Sequence, residues 1–149
     1  MTLIVAAHAD DEVLGCGGYM ARHDDYRVLL FGPGRYEPGT LRDRLPEKYH
    51  LLTYLVDQEF DRYPLKRLAG HIEHLIEIWS PDTVLTHSLH DVNQDHRQIH
   101  MATMVATRPK PGQCVKRVMA YEVLGSTEWL FDAAFNPNVW MPLTNQQMV

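Results

Sequence analysis

Five consecutive apolar residues, Leu3 to Ala7, lie at the start of the chain and stop abruptly at His8-Ala9-Asp10-Asp11-Glu12. A run this short with no polar position in it fits a strand covered on both faces. That points to a parallel sheet between helical layers rather than an antiparallel sheet with one wet face. The rest of the chain follows the same plan. Val13 to His23 reads as a helix, with Gly15-Cys16-Gly17-Gly18 near its start. Glycine weakens a helix, so these glycines are expected to mark close packing or close approach of a ligand. Arg27 to Phe31 is a second apolar strand, ended by the turn signal Gly32-Pro33-Gly34.

Residues 35–41 read as a loop. A helix is expected over about 42–53, with Pro46 in its first turn. Tyr54 to Val56 reads as a short third strand. Leu65, Leu68, Ile72, Leu75, Ile76 and Trp79 recur at helical spacing, and Ser80-Pro81-Asp82 stops that helix. Thr83 to Thr86 is a fourth strand, Asp95 to about Thr107 a helix, Arg108 to Gly112 a loop, and Val115 to Val123 a fifth strand. Alternating strands and helices predict an α/β fold: a Rossmann-like three-layer α/β/α arrangement with a mostly parallel sheet. The length of 149 residues suits a single domain over 1–149.

Composition narrows the function. Hydrophobic residues are 45% and charged residues 22%, the balance of an ordinary globular chain. The net charge of −5 and the absence of a basic run argue against a nucleic-acid partner. No apolar stretch is long enough to span a membrane. The first residues, Met1 to Ala7, lack the basic leader of a signal peptide, so a cytoplasmic location is expected. Cys16 and Cys114 are far apart and form no metal motif; they read as buried free thiols. Nine histidines are many for this length, and His87, His90, His96 and His100 fall in one segment.

In a parallel sheet of this kind, ligands bind beyond the carboxyl ends of the strands. His8 to Glu12 follows the first strand, Gly32 to Thr40 the second, and His87 to His96 the fourth. All three segments therefore converge on one rim. His8 and Asp11, three residues apart at a strand-to-helix turn, can reach one zinc ion, and catalytic zinc takes His and carboxylate ligands with one open position. Asp10 lies between them, where a carboxylate can take a proton from water activated by the metal. A helix N-cap with acids in its first turn accounts equally well for these five residues taken alone. His96 offers a third ligand. His96 and His100, four apart on the predicted helix, share a face, but no Glu follows His96 as a metalloprotease motif requires. Asp95 is expected to cap the helix or to orient a histidine ligand from behind.

Ala7-His8-Ala9-Asp10-Asp11-Glu12 resembles the A-H-P-D-D-E signature of the PIG-L/LmbE-like family of zinc-dependent N-acetyl-sugar deacetylases, with Ala9 in place of the usual proline. Thr86-His87 and Asp91-Val92-Asn93-Gln94-Asp95-His96-Arg97 resemble the T-H…D-L-N-x-D-H-R segment of one branch. Asp57-Gln58, Phe60-Asp61 and Pro64-Leu65 are similar to a D-Q-x-F-D-x-x-P-L stretch, and Tyr121-Glu122-Val123 with Ser126-Thr127-Glu128-Trp129 to a further branch motif. The resemblance runs from Leu3 to about Val139.

It implies an enzyme with Zn2+ as cofactor. The zinc ligands would be His8, Asp11 and His96, and Asp10 would be the general base. Arg44 and Asp57 would contact a small N-acetylated sugar or sugar conjugate. Asn93 stands where many members have a histidine. Its amide can steady an oxyanion but cannot donate a proton at neutral pH, which leaves His87 or His90 as the expected donor. The chain is short at its C-terminus for this family, and a homo-oligomeric partner is one way to complete the site wall. Two other functions fit the same residues: a sugar- or nucleotide-binding member without turnover, and a zinc amidohydrolase acting on a modified nucleoside or other small amide.

Overall fold

The computed structural model describes residues 1–34, 41, 43–52, 54–131 and 134–147. The apolar run becomes the central strand β1 (Thr2–His8). It pairs in parallel with β2 (Tyr26–Gly32) on one side and with β4 (Thr83–His87) on the other. β3 (Tyr49–Leu51) joins β2, and β5 (Arg117–Tyr121) joins β4, both in parallel. The five-stranded sheet has the order β3-β2-β1-β4-β5. Among the described residues the long helices are α1 (Asp11–Arg22), α2 (Leu65–Trp79) and α3 (Gln94–Ala106).

Strand alternation divides the core into two layers. Leu3, Val5, Ala7, Leu29 and Phe31 point to one face, where they meet Leu68, Ile72, Ile99 and Ala102 of α2 and α3. Ile4, Ala6, Val28 and Leu30 point to the other, where they meet Cys16, Tyr19 and Met20 of α1. Each fully buried Leu, Ile, Val or Phe contributes roughly 1.5–3 kcal/mol, so a strand apolar at every position is stabilised from both sides. This is the three-layer α/β/α arrangement expected. No helix among the described residues is long and apolar enough to cross a membrane. Cys16 is buried as expected, Cys114 is only half-buried, and both thiols are free.

One segment departs from expectation. The helix expected over 42–53 is absent among the described residues 43–52: turns cover Asp43, Arg44, Glu47 and Lys48, and Tyr49–Leu51 is β3. Pro46 has no N–H to continue a helix. Val28 N–H donates to Lys48 O at 2.9 Å and Leu52 N–H to Leu30 O at 2.9 Å, drawing the segment alongside β2. Tyr54 to Val56, expected as the third strand, is irregular, with Leu55 buried in the core. The loop expected over 35–41 lies outside the described residues apart from Leu41, which is helical rather than loop.

Close packing requires a glycine at position 15. A Cβ on Gly15 would lie 2.2 Å from Cδ2 of Tyr121 and 2.9 Å from Glu122 O. Tyr121 cannot step aside, because it is buried and its hydroxyl donates to Val5 O at 2.8 Å. Gly15→Ala should therefore destabilise the fold by about 2 kcal/mol, the usual cost of overpacking, as read by urea denaturation. An unchanged midpoint would contradict this packing.

Candidate metal centre

Strand order reverses between β1 and β4, and such a switch point leaves a crevice beyond the strand ends. His8 is the last residue of β1 and Asp11 the first of α1. Between them the backbone turns sharply at Asp10, whose φ of 119° is unusual for a residue with a side chain. Strain of this kind persists where the surroundings over-determine it. Here His8 N–H donates to Asp11 Oδ2 at 2.9 Å, and Asp10 N–H donates to the buried Glu12 carboxylate at 3.0 Å. Close by, Gly34 has φ of 60° and lies so near that a Cβ would come within 3.2 Å of His8 Cβ.

His96, in the first turn of α3, completes the group. Its Nε2 is 3.3 Å from Asp11 Oδ2, and His8 Nδ1 is 3.4 Å from the same oxygen. One donor atom from each of His8, Asp11 and His96 falls within 4.8 Å of the others, and all three residues are buried. The sequence-predicted ligands are thus brought together.

Behind each histidine stands a carboxylate. Asp95, fully buried, accepts from His8 Nε2 at 3.0 Å and from the backbone N–H groups of Gln58 (2.7 Å) and Phe60 (3.0 Å). Asp91, also fully buried, accepts from His96 Nδ1 at 2.9 Å. These bonds place a proton on the outer nitrogen of each ring and turn the other nitrogen toward Asp11. The expectation that Asp95 orients a histidine matches this geometry; the helix cap is Asn93, whose side chain accepts from Asp95 N–H at 2.9 Å.

The electrostatics follow from these contacts. Burial acts to lower the pKa of His8, but Asp11 and Asp95 override it and raise it to about 9. His96 is raised by Asp11 and Asp91, again against burial. Asp11 is burdened by desolvation, yet the two imidazoles hold its carboxyl well below the usual range. Burial raises Glu12.

The residues fit a metal ion. His96 Nε2 is buried and has no hydrogen-bond partner, a costly state for a bare nitrogen that a cation would relieve. Two imidazole nitrogens and a carboxylate oxygen form the donor set of an open zinc-type site. A second convergent set, His8 with Asp57 and Asp95, uses the other nitrogen of His8, which is already committed to these carboxylates.

The cleft over the group is lined by Asp10, Leu14, Asp57, Gln58, Asn93 and residues 123–126, besides the three candidate ligands. Of the other residues singled out in the sequence, Asp10, Asp57 and Asn93 line it. Arg44 does not; it is exposed in the turn before β3. His87 does not either. It is fully buried, stacked on His96 with ring centroids 4.0 Å apart, and its Nε2 accepts from Ala7 N–H at 2.9 Å. Burial pushes its pKa well down, with the His96 charge acting the same way, so it is a neutral packing partner of His96 rather than a proton donor at the cleft. His90 is exposed outside the cleft, and His100 Nδ1 bonds His87 O at 2.9 Å. The reading of single residues missed Asp91, Ser126 and Thr127, although all three fall within motifs already noted.

A pKa of about 9 means that His8 is protonated at neutral pH, so protons compete with a cation for the ring. Zinc chloride titrated into metal-free protein should release protons at pH 7, and its apparent affinity should rise with pH until about 9 and then level off. Calorimetry in two buffers of different ionisation enthalpy reads both effects. An affinity independent of pH between 6.5 and 9 would contradict this.

The family model for PIG-L, described as GlcNAc-PI de-N-acetylase, matches residues 44–107. No curated protein sequence matches the chain. By fold it is similar to the conserved protein TT1542 from Thermus thermophilus, with a TM-score of 0.64 and 21% identity over 81% of this chain and 65% of that one. It is similar to a deacetylase triple mutant of the teicoplanin biosynthetic pathway, with a TM-score of 0.60 and 21% identity over 83% and 64%. It also resembles N,N'-diacetylchitobiose deacetylase from Pyrococcus horikoshii, with a TM-score of 0.56 and 17% identity over 71% and 48%. The chain thus spans just under two thirds of the first two structures' length. Residues 44–107 match the PIG-L family model and most of the chain shares the fold of these structures, so the PIG-L/LmbE-like resemblance of its motifs is borne out.

Proposed function

We propose that the protein is a zinc-dependent N-deacetylase that removes the acetyl group from an amino sugar or sugar conjugate. The observation that carries this reading is the buried His8–Asp11–His96 group, with the unpartnered His96 Nε2, at the base of a cleft that Asp10 also lines. The family match over residues 44–107 supports it.

His8 through Nδ1, His96 through Nε2 and Asp11 through its carboxylate would hold the ion. Zinc bound there supplies Lewis acidity, lowering the pKa of water toward about 7 and polarising an amide carbonyl. Asp10 accepts a proton as water adds to the acetyl carbon. Asn93 has its side-chain oxygen committed to the Asp95 N–H, which leaves its NH₂ to donate to the developing oxyanion. The C–N bond then breaks, and the amine leaves with the proton that Asp10 took up. Asp10 serves in both directions because Asn93 cannot donate a proton and His87 lies buried outside the cleft. The products are acetate and a free amine. Asp57, half-exposed on the cleft wall, is suited to accept from sugar hydroxyls.

A second reading, sugar or nucleotide binding without turnover, draws on one observation: apart from the candidate ligands, no histidine lines the cleft among the described residues. Acetate release from N-acetylated sugars and nucleosides separates the two. Turnover should appear with an N-acetylated sugar, and Asp10→Asn should lower kcat by roughly 100-fold or more with metal content unchanged. Binding without acetate release favours the second reading; turnover unaffected by Asp10→Asn removes Asp10 as the base.

A further inference from the structure

Beyond the ligand group, one buried carboxylate joins two parts of the site that are distant in sequence. Asp91 Oδ2 accepts from His96 Nδ1 at 2.9 Å, from Ser126 Oγ at 3.0 Å and from Thr127 Oγ1 at 2.8 Å, and Asp91 Oδ1 accepts from Asn93 N–H at 2.8 Å. The hydroxyls belong to the segment after β5, whose residues 123–126 form one wall of the cleft. That segment is tied further: Val123 N–H donates to Thr127 Oγ1 at 2.8 Å, and Val92 N–H to Ser126 O at 3.4 Å. Asp91 is fully buried and Thr127 almost so. An ionised carboxylate is acceptor-only, so every group around Asp91 must present a hydrogen to it. His96 must therefore carry a proton on Nδ1, which leaves Nε2 as the atom turned toward Asp11.

We infer that Asp91, with the hydroxyls of Ser126 and Thr127, is a positioning unit that couples the 123–127 wall of the cleft to the metal-binding orientation of His96. Neither Ser126 nor Thr127 is within the ligand group, yet both hold the carboxylate that holds the ring. Partners behind a ligating histidine alter metal affinity by roughly 10–100-fold when removed. The coupling is reciprocal: whatever fixes His96 also orders the wall. This rests on the reading of His8, Asp11 and His96 as metal ligands.

The test is zinc affinity of the purified full chain, measured by competition with a chromophoric chelator, together with thermal unfolding of the metal-free protein. Asp91→Asn should weaken zinc binding by roughly 10-fold or more. The milder double variant Ser126→Ala/Thr127→Val should weaken it by at least about 3-fold, less than removal of the carboxylate itself. Thr127→Ser, which keeps the hydroxyl, should retain the affinity. Zinc should also slow amide hydrogen exchange over residues 123–127 in the unaltered protein, and less so in the double variant. If the double variant binds zinc as tightly as the unaltered protein while its unfolding temperature falls, the hydroxyls only support the fold and the coupling is wrong. If the unaltered protein binds no zinc, it is the ligand assignment that fails.

Discussion

His8, Asp11, Asp91, Asp95 and His96 are all buried at the carboxyl ends of β1 and β4, and how their charges are compensated governs the rest of the site. Isolated ions could not stay there, because the desolvation cost of each is several kcal/mol. The arrangement answers this by strict pairing. Asp95 takes the outer nitrogen of His8 and two backbone N–H groups from the turn at Gln58 to Phe60. Asp91 takes the outer nitrogen of His96 and the hydroxyls beyond β5. What is left over is an inward set of two ring nitrogens and a carboxylate, with His96 Nε2 unpartnered. The same pairing explains why segments far apart in the chain meet at one rim. The Asp57 turn docks because Asp95 needs donors, and the Ser126 turn docks because Asp91 does.

Much of the fold is legible in the sequence because apolar patterning maps directly onto burial. A run such as Leu3 to Ala7 has one plausible home, and Leu65 to Trp79 has a helical period that the structure reproduces over the same residues. The region from Arg42 to Val56 misleads because β3 is only three residues long and owes its form to β2. Pro46 suits the first turn of a helix, but its missing N–H in fact belongs to a turn before an edge strand. The pull of Val28 and Leu30 on the neighbouring backbone has no signature in local sequence.

At the site, convergence on the switch point makes His8, Asp11 and His96 readable as a group, since strand ends fix where their neighbours emerge. The residues behind them are less readable. His87 resembles a proton donor because it adjoins the motif, yet as the last residue of β4 its side chain is sealed between His96 and Tyr121. Arg44 is expected at the substrate from the family resemblance alone, and the turn before β3 leaves it exposed and outside the cleft lining. Ser126 and Thr127 belong to a recognisable motif, but their partner Asp91 lies 35 and 36 residues away, and only the fold joins them.

Everything proposed for the site depends on whether the inward nitrogens and Asp11 hold a metal. Metal analysis of purified protein, after dialysis against zinc, tests this directly. About one zinc per chain is expected, as for a single three-ligand site, with loss from both His8→Ala and His96→Ala in folded protein. Full retention of zinc in both variants would contradict the ligand assignment and the mechanism built on it.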